Sequence, residues 1–256
     1  MSDFVIFGNP VSHSKSPLMH NYFFKKFNLP YCYGRYELKD SQKIINKFNS
    51  LNVKGANVTI PHKEAAFKLA DEVRGIAKKI GAVNTLVKEG DRVIGYNTDA
   101  PGFLEAIKDW EWEKALIIGA GGTAKALSFV LGDVSILNRS KERLKFFKNK
   151  KAFTWESIDS FNYDLIINTT SAGLNDDSLP APNEILEKLF KNAKYAIDVI
   201  YGKETPFLKM AKEFNLKTKN GLDMLVYQGV LAMELFLGKK LNREEVAKIY
   251  FDILRG

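Results

Sequence analysis

The sequence predicts an α/β fold made of two domains, and three observations lead to this prediction. The chain has 256 residues, which is enough for two domains of ordinary size. Over about the first hundred residues, short apolar runs alternate with helical segments, as in a mixed, mainly parallel sheet covered by helices. A glycine-rich turn then follows an apolar run within residues 115–127, where strand, turn and helix are expected in the order of a Rossmann-type fold.

Residues 1–102 are predicted to form the first domain. Apolar and β-branched runs predict its strands at residues 4–7, 31–37, 55–60, 82–87 and 92–96. Helical periodicity predicts its helices near residues 17–27, 41–50, 64–70 and 72–79. The turn signal Glu89-Gly90-Asp91 predicts a hairpin of the last two strands, which would bring Asn84 and Asp99 to one end of that hairpin.

Residues 103–220 are predicted to form the second domain, and residues 221–256 to return as helices that pack on the first, with a cleft between the two domains. A helix at 103–110 would lead into the glycine-rich unit, and strands at 165–168 and 196–199 would extend its parallel sheet. Asn242 and Glu245 form a capping-box pattern before a last helix at 246–254.

The glycine-rich turn has the features of a dinucleotide site. Its three glycines, Gly119, Gly121 and Gly122, let the backbone turn tightly and approach a ligand, and the helix from Thr123 would point its free N–H groups at a pyrophosphate. The next strand ends near Arg139, where an NAD-binding fold would carry an acid for the ribose. Because arginine can bind a 2′-phosphate, the pattern favours NADP over NAD. An ordinary strand-to-helix turn is the alternative.

Composition excludes several other classes of protein. The net charge of +8 comes from lysines scattered among acids, as in residues 141–151, which is typical of a solvated helix and not of a nucleic-acid surface. The one cysteine, Cys32, forms no internal disulfide, and no Cys or His cluster has metal-ligand spacing. The amino terminus does not resemble a signal peptide, and no apolar run reaches membrane-spanning length. We therefore expect a cytoplasmic, metal-free protein that binds no nucleic acid or membrane.

Four polar clusters outside the glycine turn are candidates for substrate chemistry. Ser14 and Ser16 precede a helix that starts near Pro17, so their hydroxyls and the helix N–H groups could bind a carboxylate; helix capping by Ser16 is the alternative. Thr59 lies at the tip of the strand predicted at 55–60, and Lys63 follows that strand at the start of a helix. Lys63 would serve in proton transfer there, against the commoner alternative of a surface lysine.

The other two clusters are an acid and an amide. Asp99 follows the run Gly95-Tyr-Asn-Thr98, and its carboxylate near Lys63 would hold the lysine and relay its proton, although a plain turn aspartate is the alternative. Gln228 lies on an otherwise apolar helix face, and a polyhydroxylated ligand is one way to satisfy a buried amide.

Taken together, these motifs resemble the shikimate dehydrogenase family, from Gly8 to about Gln228. The resemblance rests on the combination Ser-x-Ser-x-Ser-Pro, Asn-Val-Thr-Ile-Pro-His-Lys, Gly-Ala-Val-Asn-Thr, Gly-Tyr-Asn-Thr-Asp, Gly-Ala-Gly-Gly, Asn-Arg-Ser, Asp-Val-Ile-Tyr and Gly-Leu-Asp-Met-Leu-Val-Tyr-Gln. It implies a reversible NADPH-dependent reduction of 3-dehydroshikimate to shikimate, on the route to chorismate and the aromatic amino acids. Ser171 stands where the family usually has proline, which we expect to loosen that loop.

The resemblance also implies a role for each matching residue. Ser14 and Ser16 would bind the substrate carboxylate, assisted by Tyr201, while Lys63, paired with Asp99, would exchange the proton at the reacting carbonyl. The ring hydroxyls would be held by the polar side chains of Thr59, Asn84, Asp99 and Gln228. The cofactor would contact three sets of residues: Gly119, Ala120, Gly121, Gly122 and Thr123 at the pyrophosphate, Asn138, Arg139, Ser140 and Arg143 at the 2′-phosphate, and Gly221 and Met224 near the nicotinamide.

Two other functions stay open on the sequence. One is a quinate/shikimate dehydrogenase that uses NAD, which Arg139 and the missing ribose acid argue against. The other is a ligand-binding regulator without turnover, which the presence of both Lys63 and Asp99 argues against, because a sensor needs neither a proton donor nor a relay. The sequence leaves the oligomeric state open, a homodimer included.

Overall fold

The chain builds two six-stranded sheets, each in its own structural unit. The structure is a computed structural model that describes residues 2–255. The first unit contains the chain up to Gly102 together with the segment from Val226 onward, and the second contains Phe103–Leu225. The chain therefore leaves the first unit once and returns to it once.

The elements of the first unit alternate between strands and short helices. Its strands are β1 (Phe4–Gly8), β2 (Tyr33–Glu37), β3 (Gly55–Val58), β4 (Glu72–Val73), β5 (Thr85–Glu89) and β6 (Arg92–Tyr96). Its helices before the crossing are α1 (Ser16–Lys26), α2 (Ile44–Ser50), α3 (Lys63–Leu69) and α4 (Ala77–Ile80). The crossings run through α5 (Asp99–Ala106) and α10 (Leu222–Leu237), and α11 (Arg243–Arg255) follows.

The second unit alternates strand and helix throughout. Its strands are β7 (Lys114–Ile118), β8 (Asp133–Leu137), β9 (Ala152–Phe153), β10 (Leu165–Asn168), β11 (Tyr195–Asp198) and β12 (Lys217–Lys219). Its helices are α6 (Gly122–Val130), α7 (Lys141–Leu144), α8 (Asn183–Phe190) and α9 (Pro206–Glu213).

The first sheet has the strand order β2-β1-β3-β5-β6-β4 and is mixed. Strand β1 is parallel to β2 and β3, whereas β5 runs antiparallel to β3 and β6. Both faces are buried: Phe4 and Ile6 pack in a cluster with α1, α10 and α11, while Val5 and Phe7 pack in a cluster with α2 and α3. Because β5 alone is reversed among the central strands, the carboxyl ends of β1, β3 and β6 meet the amino end of β5 at one edge.

The second sheet is parallel throughout, in the order β12-β11-β10-β7-β8-β9. Along β7, Leu116 faces one apolar cluster while Ala115 and Ile117 face another, so helices cover both faces. The winding reverses between β7 and β10. In doubly wound sheets, ligands bind outside the carboxyl ends of the strands at such a reversal. The predicted Rossmann-type sheet, including the strands at β10 and β11, is confirmed.

One predicted element is wrong. The helix expected at residues 72–79 is replaced by the two-residue strand β4, which pairs in parallel with β6, and only Ala77–Ile80 is helical. Arg74 bonds both Glu72 (2.7 Å) and Glu89 (2.8 Å), and Gly75 has a φ of +61° that ends the extended segment. Pairing with a neighbouring strand therefore overrides the local helix propensity of this stretch.

The helix predicted at residues 103–110 is shifted: α5 begins at Asp99 and ends at Ala106. Pro101 is tolerated because it lies in the first helical turn, where an N–H has no intrahelical partner. The return to the first unit also lies at Val226 and not at residue 221. The first turn of α10 belongs to the second unit, since Met224 packs on its apolar core and Asp223 pairs with Lys219 at 3.6 Å.

Other strands and helices lie close to their predicted places, with ends that differ by a few residues. The hairpin of β5 and β6 is confirmed, with Thr85 opposite Tyr96. The cap at Asn242 is confirmed by the bond that Glu245 N donates to Asn242 Oδ1 at 3.3 Å. None of the helices between residues 2 and 255 is long and apolar enough to cross a membrane.

Candidate active site

Polar residues of the first unit gather at the edge where β1, β3 and β6 end and β5 begins. Ser14 and Ser16 follow β1, and Thr59 and Lys63 follow β3. The other two predicted residues are Asn84, just before β5, and Asp99, three residues after β6. The antiparallel insertion of β5 thus places six predicted residues from four segments at one edge.

Lys63 and Asp99 form an ion pair at this edge. Lys63 Nζ lies 2.7 Å from Asp99 Oδ2, and the two side chains are 21% and 13% exposed. Each is the first residue of a helix, α3 and α5 respectively. The carboxylate is favoured at the amino end of α5, and it offsets the unfavourable placement of the ammonium at the amino end of α3. The ammonium retains two further N–H donors for a ligand.

The side chain of Asn84 is fixed by the segment that leads to Asp99. Asn84 Oδ1 accepts a bond from the backbone N–H of Thr98 at 2.7 Å, and Asn84 Nδ2 donates to Thr98 Oγ1 at 2.9 Å. Since the Nδ2 amide group carries two hydrogens, one can still reach a ligand. Asn84 is buried, so its orientation is set by the protein and not by solvent.

Ser14 and Ser16 are both buried beside the start of α1. Ser14 Oγ accepts from Ser16 N at 3.3 Å, and Arg35 Nη2 donates to Ser14 O at 2.7 Å. The N-cap position of α1 belongs to Lys15, which forms no side-chain capping bond, so Ser16 lies inside the helix. Capping by Ser16 is therefore not its role in this structure.

Thr59 and Gln228 lie on segments next to α3 and α5, the helices that begin at Lys63 and Asp99. Thr59 N bonds Phe7 O at 2.8 Å, which fixes the end of β3 beside β1. Gln228 is buried on α10, and its backbone packs against Gly102 of α5, where an added Cβ would lie 2.6 Å from Gln228 N. Gln228 thus lies against the helix that Asp99 begins.

Two buried histidines in this unit are poor candidates for acid–base chemistry. His62 precedes Lys63, but its Nδ1 lies 2.6 Å from Ser41 Oγ and burial lowers its pKa. Burial also lowers the pKa of His20 to about 3, and its Nδ1 lies 2.9 Å from the Tyr250 hydroxyl. Of these groups, Lys63 therefore stays the candidate for proton transfer.

Sequence reasoning passed over three hydrogen-bonded residues, of which Thr85 lies at this edge and Asn57 and Tyr33 lie below it. Asn57 lies in the middle of β3, fully inside the core, and accepts a bond of 2.6 Å from the Tyr33 hydroxyl. Asn57 Nδ2 then donates to Thr85 Oγ1 at 3.2 Å. The available signal was a single amide within the buried strand Gly55–Val58, a position where an unpaired amide would be costly.

The glycine-rich turn of the second unit is open at its helix end. Gly119 has a φ of +115°, and a Cβ there would lie 2.5 Å from Thr169 Oγ1, so the turn admits only glycine. A Cβ on Gly121 or Gly122 would meet nothing within 4 Å. Gly121 caps α6 without any side-chain bond, which leaves backbone N–H groups for an anion. Ala120, buried, and Thr123 complete the turn.

The loop after β8 carries the predicted ribose residues. Asn138 Nδ2 donates to Ser140 O at 2.9 Å and shapes this loop, while Ser140 Oγ lies 3.4 Å from Glu142 Oε2. Arg139 and Arg143 are both exposed. One arginine thus lies in this loop at the carboxyl end of β8, and the other lies in the short helix α7 that follows.

The remaining predicted residues also lie in the second unit. Tyr201 is in the loop after β11, which Asp198 anchors through bonds from Ile200 N (3.0 Å) and Thr205 Oγ1 (2.7 Å). Burial raises the pKa of Asp198. Gly221 packs directly on the backbone of Val199, so packing alone requires glycine there. Within residues 2–255, no group of three metal-ligating side chains is present.

Comparison with known proteins gives the family. A model of the shikimate dehydrogenase substrate-binding domain matches residues 6–86, and one of the shikimate 5′-dehydrogenase C-terminal domain matches residues 221–249. A Helicobacter hepaticus protein named shikimate dehydrogenase (NADP(+)) is 46% identical over 248 residues, which cover 94% of this chain and 92% of that protein. The chain belongs to the shikimate dehydrogenase family.

Solved structures of the family have the same fold. Shikimate 5-dehydrogenase from Thermus thermophilus, in complex with NADP(H) and shikimate, is 32% identical with a TM-score of 0.85 and covers 99% of this chain and 100% of its own. The Listeria monocytogenes enzyme, in complex with shikimate and NAD, is 28% identical with a TM-score of 0.81, covering 97% and 96%. The two complexes contain different dinucleotides, so the shared fold by itself does not identify the cofactor.

Proposed function

We propose that this chain is an NADP-dependent shikimate dehydrogenase, which reduces 3-dehydroshikimate to shikimate reversibly in the synthesis of chorismate and the aromatic amino acids. The observation that carries the proposal is the ion pair of Lys63 and Asp99, 2.7 Å apart at the sheet edge that also carries the serines and Asn84. Relatives over nearly the full length of the chain bear the same name.

The substrate is held by polar groups at this edge. Ser14 and Ser16 bind its carboxylate, with Tyr201 assisting, and charge-assisted bonds of this kind are stronger than neutral ones. The ring hydroxyls bind the four side chains of Thr59, Asn84, Asp99 and Gln228. Support for these roles comes from burial of both serines and from the fixed orientation of Asn84.

Proton transfer is the work of Lys63. NADPH, when bound, supplies the hydride that the carbonyl carbon receives. Lys63, as an ammonium, donates a proton to the carbonyl oxygen as that oxygen gains negative charge, and Asp99 holds the ammonium in place. In the oxidation of shikimate the neutral amine takes the hydroxyl proton back. General acid catalysis of this kind contributes roughly a hundredfold or more.

The residues of the second unit fit NADP. The open space at Gly121 and Gly122, together with the uncapped start of α6, suits a pyrophosphate bound by backbone N–H groups. Thr123 and Ala120 belong to the same turn. The residues that would hold the 2′-phosphate are Asn138, Arg139, Ser140 and Arg143, and those that would hold the nicotinamide are Gly221 and Met224. Arg139 stands where an NAD enzyme would carry an acid.

One experiment separates this proposal from its alternatives. Purified protein is mixed with shikimate and NADP, and separately with quinate and NAD, while nicotinamide absorbance is followed. Faster turnover of the first pair supports the proposal, and preference for the second pair indicates an NAD-dependent quinate/shikimate dehydrogenase. Binding of shikimate without turnover of either pair indicates a regulator.

Location and assembly complete the proposal. We infer a cytoplasmic enzyme, in keeping with a single cysteine and therefore no internal disulfide. A homodimer is the assembly that we propose to test. Fractionation of cells and light scattering of the purified protein measure the two directly.

A further inference from the structure

A chain of buried hydrogen bonds runs beneath the candidate site and begins at Tyr33, the first residue of β2. The Tyr33 hydroxyl donates to Asn57 Oδ1 at 2.6 Å, and Asn57 Nδ2 donates to Thr85 Oγ1 at 3.2 Å. Thr85 Oγ1 in turn donates to Asn84 Oδ1 at 3.0 Å. The chain of donors therefore ends on the amide that is proposed to bind a ring hydroxyl.

Tyr33 itself is held from several sides. Its backbone N–H donates to Asn21 Oδ1 at 2.8 Å, and its carbonyl accepts from Asn21 Nδ2 at 2.9 Å. Its ring lies 4.6 Å, centroid to centroid, from that of His20 and is 2% exposed. The position of the Tyr33 hydroxyl is therefore fixed by the core, and a fixed donor can dictate the orientation of its acceptor.

The amide of Asn57 has two orientations that fit the same space, and only one suits the rest of the chain. As long as Tyr33 donates, the oxygen of Asn57 must face Tyr33 and its nitrogen must face Thr85. If the amide turned over, its oxygen would face Thr85 Oγ1 and would take the one hydroxyl hydrogen that Thr85 now gives to Asn84 Oδ1. Asn84 would then lose one of the bonds that orient it.

We propose that Tyr33 is a positioning residue for substrate binding, which acts by fixing the amide of Asn57 and, through Thr85, the amide of Asn84. This proposal rests on the proposed function, since it takes Asn84 as a ligand of the substrate ring. Tyr33 acts through these two amides. Its effect is on the geometry of Asn84 before the substrate arrives, so it changes binding of shikimate more than the rate of proton transfer.

The test compares two buried tyrosines of the same apolar cluster. Tyr33→Phe removes the hydroxyl that orients Asn57, whereas Tyr250→Phe removes a hydroxyl that contacts His20 and is the matched control. We expect Tyr33→Phe to raise the Michaelis constant for shikimate about three- to tenfold, as for the loss of one neutral hydrogen bond, with kcat changed less than twofold and NADPH affinity unchanged. Tyr250→Phe should leave the Michaelis constant unchanged.

A double-mutant cycle shows whether the effect passes through Asn84. In an Asn84→Ala background, Tyr33→Phe should add little further loss of shikimate affinity, measured by calorimetry. In a Ser14→Ala background it should keep its full effect, because Ser14 is not part of the chain of bonds. Additive losses with Asn84→Ala would overturn the proposal, as would equal effects of the two tyrosine variants.

A rescue variant separates positioning from simple stability. Tyr33→4-aminophenylalanine restores an N–H donor at the same position, so it should return the Michaelis constant to near that of the wild type. It also serves if Tyr33→Phe does not fold. Failure of this folded variant to bind shikimate normally would contradict the proposal. The wild type is assayed alongside with shikimate and NADP: if it is inactive, the proposed function is at fault, whereas an active wild type with a normal Tyr33→Phe variant refutes the positioning role alone.

Discussion

Lys63 Nζ lies 2.7 Å from Asp99 Oδ2, although the two residues are 36 positions apart and begin different helices. The ion pair connects the segment after β3 to the segment after β6. Because both side chains are mostly shielded from water, their attraction is stronger than that of an exposed pair. The ion pair holds the Lys63 ammonium in one place, which is the arrangement that a proton donor needs.

Replacement of Lys63 tests its role as the acid. We expect Lys63→Ala to lower kcat by a hundredfold or more, because the developing alkoxide loses its proton donor, while NADPH affinity stays nearly unchanged. Steady-state kinetics and NADPH fluorescence titration measure the two effects. Lys68→Ala, which removes an exposed lysine from the same helix, is the control. A Lys63 variant that keeps more than about a tenth of the wild-type turnover would contradict the role.

The two serines are tested by their effect on binding. Ser14→Ala and Ser16→Ala should each raise the Michaelis constant for shikimate more than they lower kcat, since the carboxylate is remote from the reacting carbon. The loss of one hydrogen bond to a charged group corresponds to about 1.5–3 kcal/mol. Ser12→Ala, at an exposed position nearby, should have no effect. If the Michaelis constant does not change in either buried variant, the substrate carboxylate binds elsewhere.

Two glycines of the dinucleotide turn should respond differently to alanine. Gly119→Ala places a Cβ 2.5 Å from Thr169 Oγ1 at a φ of +115°, so we expect it to destabilise the protein by about 1–3 kcal/mol in urea unfolding. Gly121→Ala meets no protein atom within 4 Å and should leave stability unchanged. It should nevertheless weaken NADPH binding at least tenfold, because its methyl group takes the space of the pyrophosphate. Normal NADPH affinity of Gly121→Ala would place the pyrophosphate elsewhere.

Much of the first unit could be predicted because its polar motifs directly follow apolar runs. Thr59 and Lys63 come after the strand of residues 55–58, and Asp99 comes after that of residues 92–96, so parallel strands bring them to one edge without further information. The pairing of β4 could not be predicted. Its partner β6 lies about twenty residues away in sequence, and the local composition of residues 72–79 favours a helix.

The bonds beneath the site could not be predicted for a related reason. Tyr33 and Asn57 are 24 residues apart and follow no short motif, so only the register of β2, β1 and β3 brings them together. A polar residue inside a buried strand requires a hydrogen-bond partner, but the sequence does not identify that partner. Sequence patterns thus locate the site residues that directly follow strands better than the buried residues that form hydrogen bonds beneath the site.

An acid in the second unit gives a pH-dependent contribution to stability. Asp164 accepts bonds from Lys194 Nζ at 2.8 Å and from the N–H groups of Glu113 and Lys114 at 3.1 Å each. The Lys194 ammonium, above all, lowers the pKa of Asp164 from 3.8 to about 2. The folded state therefore binds this proton less readily than the unfolded state. The resulting stabilisation is complete above about pH 4 and is lost as the pH falls through 2.

Asp164→Asn should thus destabilise the protein by about 1–2 kcal/mol between pH 5 and 8, a value reduced for partial exposure of the carboxylate. The difference from the wild type should shrink as the pH is lowered below 4. Urea unfolding at a series of pH values measures it, with Asp159→Asn at an exposed position as the control. A difference that stays constant down to pH 2.5 would mean that the ionised carboxylate is not its source.

Arg139 is predicted to set the cofactor preference, because it lies exposed in the loop after β8 where an NAD enzyme would carry an acid. Arg139→Ala leaves the turn of Gly119 to Thr123 intact but removes a guanidinium that can bind the 2′-phosphate. NADPH affinity should fall roughly ten- to a hundredfold, as expected for one charge-assisted bond, while NADH affinity changes little. Lys148→Ala, which removes an equal charge from an exposed position of the same unit, should change neither. Equal losses for both cofactors would show that Arg139 supports the loop only, and a wild type that already prefers NADH would overturn the NADP assignment.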